Sequence, residues 1–254
     1  MTAVVLAIGG SDPSGGAGIQ GDLKTLERHG VYGAAAITLL TVQSTRGVSR
    51  VEILDADLVR EQIEAVLGDL DAHVIKTGAL GSAAIVERVA AVLGARTLVC
   101  DPVLLATSGA ALADAEALRT LLPRAALVTP NTMEASSLTG IEVTDVASAR
   151  AAATALVQRG ASAALVKGGH LAGDVATDVL CVHGALFELT EARLTTTAGH
   201  GTGCALASSI AARLAKGETM LDAVEGAKQW VHRALASAPG LGKGRGPLEF
   251  GAPI

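Results

Sequence analysis

Aromatic side chains are nearly absent: one Trp, one Tyr and two Phe in 254 residues. That leaves no platform for stacked bases and excludes the nucleic-acid modules that depend on one. Basic charge is also short. Twenty Lys and Arg stand against 25 Asp and Glu, a net charge of −5, so no global positive field draws nucleic acid. Three cysteines (Cys100, Cys181 and Cys204) are too few and too scattered for a disulfide framework or a zinc site. Reduced thiols and a cytoplasmic setting are the simplest reading. No uncharged apolar run reaches the ~20 residues of a bilayer span. No basic n-region precedes the first apolar stretch, which argues against a signal peptide. The pattern G-x-x-x-x-G-K-[ST] occurs nowhere, so a bound nucleotide must be held by other means than a P-loop.

What is present is an apolar, glycine-rich chain. Half its residues are hydrophobic and 30 are glycine, enough for one large α/β core. No linker, repeat or low-complexity tract divides it, so residues 1–254 read as a single domain. Short β-type runs (Val4–Ile8, Gly33–Val42, Val74–Thr77, Thr97–Asp101, Ala126–Thr129, Ala163–Lys167) alternate with helical patterns. The helical patterns are Ile19–His29, Leu58–Leu67, Ala83–Leu93, Glu116–Leu122, Met133–Leu138 and Ala147–Arg159. Val175–Val182 and Leu186–Leu189 flank His183-Gly184 as a marginal hairpin. Helices over Thr202–Lys216 and Met220–Ala236 close the chain. Such alternation predicts a doubly wound, mostly parallel sheet flanked by helices on both faces. A ligand then sits outside the carboxyl ends of the strands.

Polar groups gather at those ends. His200-Gly201-Thr202-Gly203-Cys204 opens a helix, where free N–H groups and the dipole attract an anion. The same field favours a thiolate at Cys204. His200 is its only sequence neighbour for a Cys–His pair, and no orienting residue for that pair is evident. Gly16-Ala17-Gly18-Ile19-Gln20-Gly21 matches G-x-G-x-x-G. The loop from Ile8 to Gly16 is long for a dinucleotide turn, and Gln43 stands where an acid is expected, so a loop closing on a small substrate is the better reading. Asp22, one turn on, caps the helix or faces the crevice. Asn131 and Glu134 share a helical face, which suits water-mediated Mg²⁺ or, alternatively, an N-cap with a first-turn acid. Asp101 adds a carboxylate nearby. Lys167 precedes two glycines and can reach phosphates. Gly242 to Pro247 reads as a basic, glycine-rich tail.

Together these motifs resemble one family along nearly the whole chain. They are Gly10-Ser11-Asp12-Pro13-Ser14-Gly15-Gly16-Ala17-Gly18-Ile19-Gln20, Gln43 with Thr45-Arg46-Gly47-Val48, Lys76-Thr77-Gly78, Asp101-Pro102-Val103, Ser108-Gly109, Thr129-Pro130-Asn131 with Glu134, Lys167-Gly168-Gly169-His170, and the segment His200 to Cys204. The family is the hydroxymethylpyrimidine/phosphomethylpyrimidine kinases of thiamine biosynthesis, in the ribokinase-like superfamily. The resemblance implies a ribokinase-like fold, commonly a homodimer, and two successive ATP-dependent phosphorylations with Mg²⁺. It implies that Gln43 binds the aminopyrimidine, with Gly10, Ala17, Asp22 and Val42 around the substrate. It makes Cys204 the catalytic cysteine and Gly201, Thr202 and Gly203 its anion hole. Asp101, Asn131, Glu134, Lys167 and Thr202 fall to ATP, with Asp101 and Glu134 toward the metal.

The chain departs from that pattern at Ala198-Gly199, where the family usually carries Asn-Thr, and at Ala205, Ala79 and Gly21. Two other readings follow: a pyridoxal kinase of the same fold, and a pyrimidine-binding homologue without turnover. An amide at Gln43 can pair with a ring nitrogen and an exocyclic amine together, which favours the aminopyrimidine.

Overall fold

The computed structural model describes residues 2–104 and 114–254; Ser108-Gly109 of the sequence pattern lies outside them. The chain builds β1 (Val4–Ser11), α1 (Gly18–Arg28), β2 (Tyr32–Ser44), β3 (Gly47–Ile53), α2 (Ala56–Asp69), β4 (Val74–Thr77), α3 (Ala83–Val92) and β5 (Thr97–Cys100). It continues through α4 (Ala115–Arg119), β6 (Ala125–Val128), α5 (Thr132–Thr139), α6 (Val146–Gln158), β7 (Ala163–Val166), β8 (Val175–Val182), β9 (Ala185–Ala192), β10 (Ala198–His200), α7 (Thr202–Ala215), α8 (Met220–Ala236) and β11 (Gly246–Pro247).

Among the described residues the main sheet runs β3-β2-β1-β4-β5-β6-β7-β8-β9. The strands from β2 to β7 in that order are parallel, while β3, β8 and β9 are joined by antiparallel pairing. The core parallel strands are buried on both sides, as helices on two faces require: β4 and β7 are buried at every position. One face packs under α1, α7 and α8, with Ile19, Leu26, Ala207, Ile210 and Trp230 in its core. The other packs under α2, α3, α5 and α6, with Ile63, Ile85, Leu138 and Leu156. No helix among the described residues is long and apolar enough to cross a membrane.

Three local readings change. The second strand continues through Gln43 to Ser44, so Gln43 is a strand residue and not the start of a loop. It turns at Thr45-Arg46 into β3, which alternation did not reveal: an edge strand carrying Ser49, Arg50 and Glu52 has no continuous apolar face. The helix expected over Glu116–Leu122 stops at Arg119, ahead of Pro123, and a 3-10 turn follows.

The C-terminal segment is more than a tail. Gly246-Pro247 pairs in parallel with Ala198–His200. Just before it, the N–H groups of Lys243 and Gly244 donate to the Thr45 hydroxyl at 3.1 and 3.2 Å, and Arg245 N–H donates to the Thr45 carbonyl at 2.8 Å. The strap thus ties the β2–β3 turn to the strand that leads into α7. Thr45→Val removes two of these acceptor contacts, each worth about 1 kcal/mol. The variant should keep the fold but be cut several-fold faster by trypsin at Lys243 and Arg245, read by mass spectrometry of a limited digest.

Candidate active site

Two helices differ from the others at their starts. Asp55, Ser82, Asp114, Asn131, Asp145 and Thr219 cap α2, α3, α4, α5, α6 and α8 with side-chain oxygens. Helices α1 and α7 start at Ala17 and Gly201 with no side-chain cap. Their first N–H groups are therefore left for another acceptor. Both open on the same crevice, of about 1010 Å³, at the carboxyl ends of the strands. The topological switch lies here, where β1 sits between β2 and β4.

Close backbone approach makes this possible. Gly201 has φ +81°, and a Cβ there would overlap the Gly16 carbonyl. Gly18 has φ +54°, and its Cβ would strike the Gly10 carbonyl oxygen. The literal G-x-G-x-x-G is thus a loop packed on a second loop, and the dinucleotide reading is not needed. Gly203 also sits at a close approach: a Cβ on it would stand 3.0 Å from Lys167 Nζ. The lysine therefore reaches the start of α7, where its charge adds to that of the helix.

Lys167 is paired with Asp101 Oδ1 at 2.9 Å, and Thr129 donates to the same oxygen at 3.1 Å. Burial works against the lysine's charge, but Asp101 and Glu134 outweigh it and raise its pKa. Among the described residues no hydrogen bond engages Asp101 Oδ2. Asn131 and Glu134 form a reciprocal capping box on α5: Glu134 N–H donates to Asn131 Oδ1 and Asn131 N–H donates to Glu134 Oε2. The capping alternative is thus what the structure shows, and it leaves Glu134 in the crevice lining. Burial pushes Glu134 up to about 6, with Asp101 adding to the rise. Two neighbouring carboxylates, one strained toward neutrality, suit a divalent cation that keeps most of its waters. Asp101 and Glu134 therefore fit such an ion.

Cys204 stands at the third position of α7, partly exposed. The expected lowering of its pKa is not found. Burial pushes the thiol up to about 11, Asp22 and Asp101 push the same way, and Lys76 and the Gly18 N–H only partly offset them. At rest Cys204 is a thiol, because desolvation exceeds the field of one helix. His200 does not pair with it. The imidazole is buried, with Nε2 2.7 Å from Asp12 Oδ2, and it also approaches Gln43 at 3.2 Å.

Gln43 is held between two partners: its Oε1 accepts from the Thr41 hydroxyl at 3.1 Å, and its amide nitrogen lies 3.2 Å from His200 Nε2. The Thr41 hydroxyl also reaches the Ser11 carbonyl at 2.9 Å.

Of the substrate-side residues expected from sequence, Gly10, Ala17, Asp22 and Gln43 line the crevice. Val42 does not. The two-residue period of β2 points Thr41 and Gln43 inward and leaves Val42 57% exposed on the opposite face. Asp22 does not cap α1: it lies in the crevice floor, 0% exposed, with its carboxylate bound by Lys76 and Ser208. At the departure Gly199, a Cβ would meet nothing within 4 Å, so the missing side chain leaves open space rather than a repacked loop. Sequence reading gave Asp12, Lys76 and Arg245 no individual role. Arg245 lines the crevice from the far end of the chain, which no local pattern could show. Buried Asp12 and Lys76 were legible only as charged residues in otherwise apolar or glycine-rich strand ends.

Burial raises the Asp12 carboxyl, but hydrogen bonds from His200 and Ser14 outweigh it and hold the group down from 3.8 to about 2. A depressed carboxyl stabilises the fold above its unfolded pKa and loses that contribution as pH falls through its folded one. The shift corresponds to about 2 kcal/mol, lost between roughly pH 4 and pH 2. Urea unfolding of Asp12→Asn should lack that acid-dependent share, with lower stability at neutral pH and a flatter profile below pH 4.

The profile of the family described as phosphomethylpyrimidine kinase matches residues 12–249. A hydroxymethylpyrimidine/phosphomethylpyrimidine kinase of Rhizobium meliloti is 46% identical, with 98% of this chain and 97% of that protein covered. Among solved structures, a pyridoxal kinase of Staphylococcus aureus bound to AMP-PCP superposes with a TM-score of 0.92 at 33% identity, covering 99% of this chain and 94% of that one. A phosphomethylpyrimidine kinase of Clostridium difficile superposes with a TM-score of 0.79 at 36% identity, covering 92% and 99%.

Proposed function

The chain belongs to the phosphomethylpyrimidine kinase family, and we propose that it phosphorylates 4-amino-5-hydroxymethyl-2-methylpyrimidine with ATP, then phosphorylates the monophosphate to the diphosphate, for thiamine biosynthesis. The observation that carries this reading is the uncapped start of α7 with Lys167 at its mouth and Cys204 inside it. Anionic groups that transfer between two oxygens need positioning and charge stabilisation more than covalent help.

The free N–H groups of Thr202, Gly203 and Cys204 stabilise charge on the migrating phosphoryl group. Lys167 steers the phosphates onto that cradle. Farther along the crevice, Ala176, Val231 and Leu235 offer an apolar wall for the nucleoside. Mg²⁺, held by Asp101 and through Glu134, supplies charge neutralisation on the ATP phosphates when bound. At the other end Gln43 presents an amide to the aminopyrimidine. Cys204 lies between the two ends and takes the alcohol proton in the first transfer. The second acceptor is already an anionic phosphate oxygen and needs no base.

Similarity to the pyridoxal kinase structure supports a second reading, in which pyridoxal is the alcohol phosphorylated. A coupled ADP-release assay with both alcohols separates them. The expected outcome is preference for the aminopyrimidine, and a pyridoxal-selective ratio reverses the assignment. Cys204→Ala should cut the first phosphorylation by at least about 100-fold, the usual scale of a general base, and leave the second within a few-fold. Equal losses in both steps would remove the base role. ATP binding with no turnover of either alcohol would leave the reading of a ligand-binding homologue.

The assembly proposed is a homodimer. Leu40 and Val42 stand 46% and 57% exposed on the face of β2 turned away from the crevice, beside the open edge strand β3. Adjacent exposed aliphatics at a free sheet edge favour a protein partner. Light scattering should give the mass of a dimer, and Leu40→Lys with Val42→Lys should give a monomer.

A further inference from the structure

Lys76 is a lysine in the middle of a buried strand. It lies on β4 and is 0% exposed, although it lines the floor of the crevice. Its Nζ donates to both Asp22 carboxylate oxygens at 2.8 Å. An ammonium has three N–H donors, and among the described residues the third has no acceptor. The ammonium points to the strand's carboxyl end: a Cβ on Gly78 would lie 3.1 Å from it.

Two helix faces meet above this charge. On α1, Gly18 and Asp22 are four residues apart; on α7, Cys204 and Ser208 are four apart. Residues at that spacing share a face. Ser208 donates to Asp22 Oδ1 at 2.8 Å, and Gly18, Asp22, Lys76 and Cys204 all line the same crevice. The lower rung of this ladder binds Lys76 and the upper rung is the thiol. The charged groups facing the sulfur are Asp22 on α1, Lys76 on β4, Asp101 after β5 and, on the far side of Gly203, Lys167 after β7. Lys167 approaches the start of α7 beside Gly203, whereas Lys76 lies beneath α7, tied to its Ser208 through Asp22.

We propose that Lys76 is a positioning residue for the first phosphoryl transfer: its tethered ammonium under α7 stabilises the Cys204 thiolate that removes the alcohol proton. This rests on the base role given to Cys204 above. The thiol first loses its proton to solvent. The thiolate then takes the alcohol proton and becomes a thiol again. The alkoxide oxygen bonds to the γ-phosphorus as the bond from that phosphorus to the β–γ bridging oxygen breaks, and ADP leaves. Asp22 keeps the ammonium charged within the core and Ser208 holds Asp22 to α7. The cost of burying the pair is thereby offset by a charge fixed under the reacting sulfur, with no flexible side chain exposed to substrate.

The test reads the thiol directly in the full chain. Cys100 and Cys181 are buried and Cys204 is accessible, so the pH profile of iodoacetamide alkylation at Cys204, followed by peptide mass spectrometry, reports its ionisation. Lys76→Met should slow alkylation at pH 8 about tenfold, one pKa unit upward, and Lys76→Arg should stay within about threefold of the unsubstituted protein. Because Met alone strands Asp22, Lys76→Met with Asp22→Asn serves as the variant with no buried charge. Its thiol should also titrate higher, since the crevice floor then holds no cation beneath α7. The first phosphorylation should slow in parallel and the second should not. An ion pair that only holds α1 to β4 would leave the alkylation profile unmoved; superimposed profiles for the double variant and the unsubstituted protein overturn the proposal. A shifted profile with an unchanged first step would instead remove the base role of Cys204 and leave the coupling standing.

Discussion

The rest of the site depends on one contact: the backbone of the β1–α1 loop pressed against the backbone that leads into α7. Gly16 and Gly201 allow it because a side chain at either would collide with its neighbour across the gap, and Gly18 lets the first loop fold close on its own Gly10. The contact sets two uncapped helix starts side by side at the switch point of the sheet. A crevice floor made of main-chain donors follows from that geometry, before any side chain contributes.

Charge in this crevice is graded. Lys167 is reachable from solvent and bound to one oxygen of Asp101, with no hydrogen bond to the other oxygen among the described residues. Lys76 is enclosed and bound to both oxygens of Asp22. The first arrangement can exchange partners when phosphates arrive, while the second cannot without exposing a buried carboxylate. Two lysines at the ends of parallel strands therefore differ in role through burial alone. Cys204 is a thiol because burial, Asp22 and Asp101 raise its pKa, and Lys76 only partly offsets them.

The substrate end is built by a different device. Asp12 and His200 come from the two apposed loops, and their hydrogen bond closes the same gap that the glycines open. Gln43 rests on that pair and on Thr41 of its own strand. The strap from Gly242 to Pro247 then binds the Thr45 turn to β10. Asp12, His200, Gln43 and the Thr45 turn are thus each held by at least one contact distant in sequence.

The alternation of strand and helix, the parallel sheet and the crevice at its carboxyl edge were all written into the chain by period and punctuation. So were Lys167, Asn131, Glu134 and the small residues ahead of Cys204, since each sits at a strand end or helix start. Local pattern reports where a residue lies along an element, which suffices for those positions. The inward or outward sense of Val42 and Gln43, the enclosure of Asp22 by Lys76, the suppressed ionisation of Cys204 and the arrival of Arg245 were decided in three dimensions. Each depends on desolvation or on a partner many residues away, and neither quantity exists until the helices have packed on the sheet.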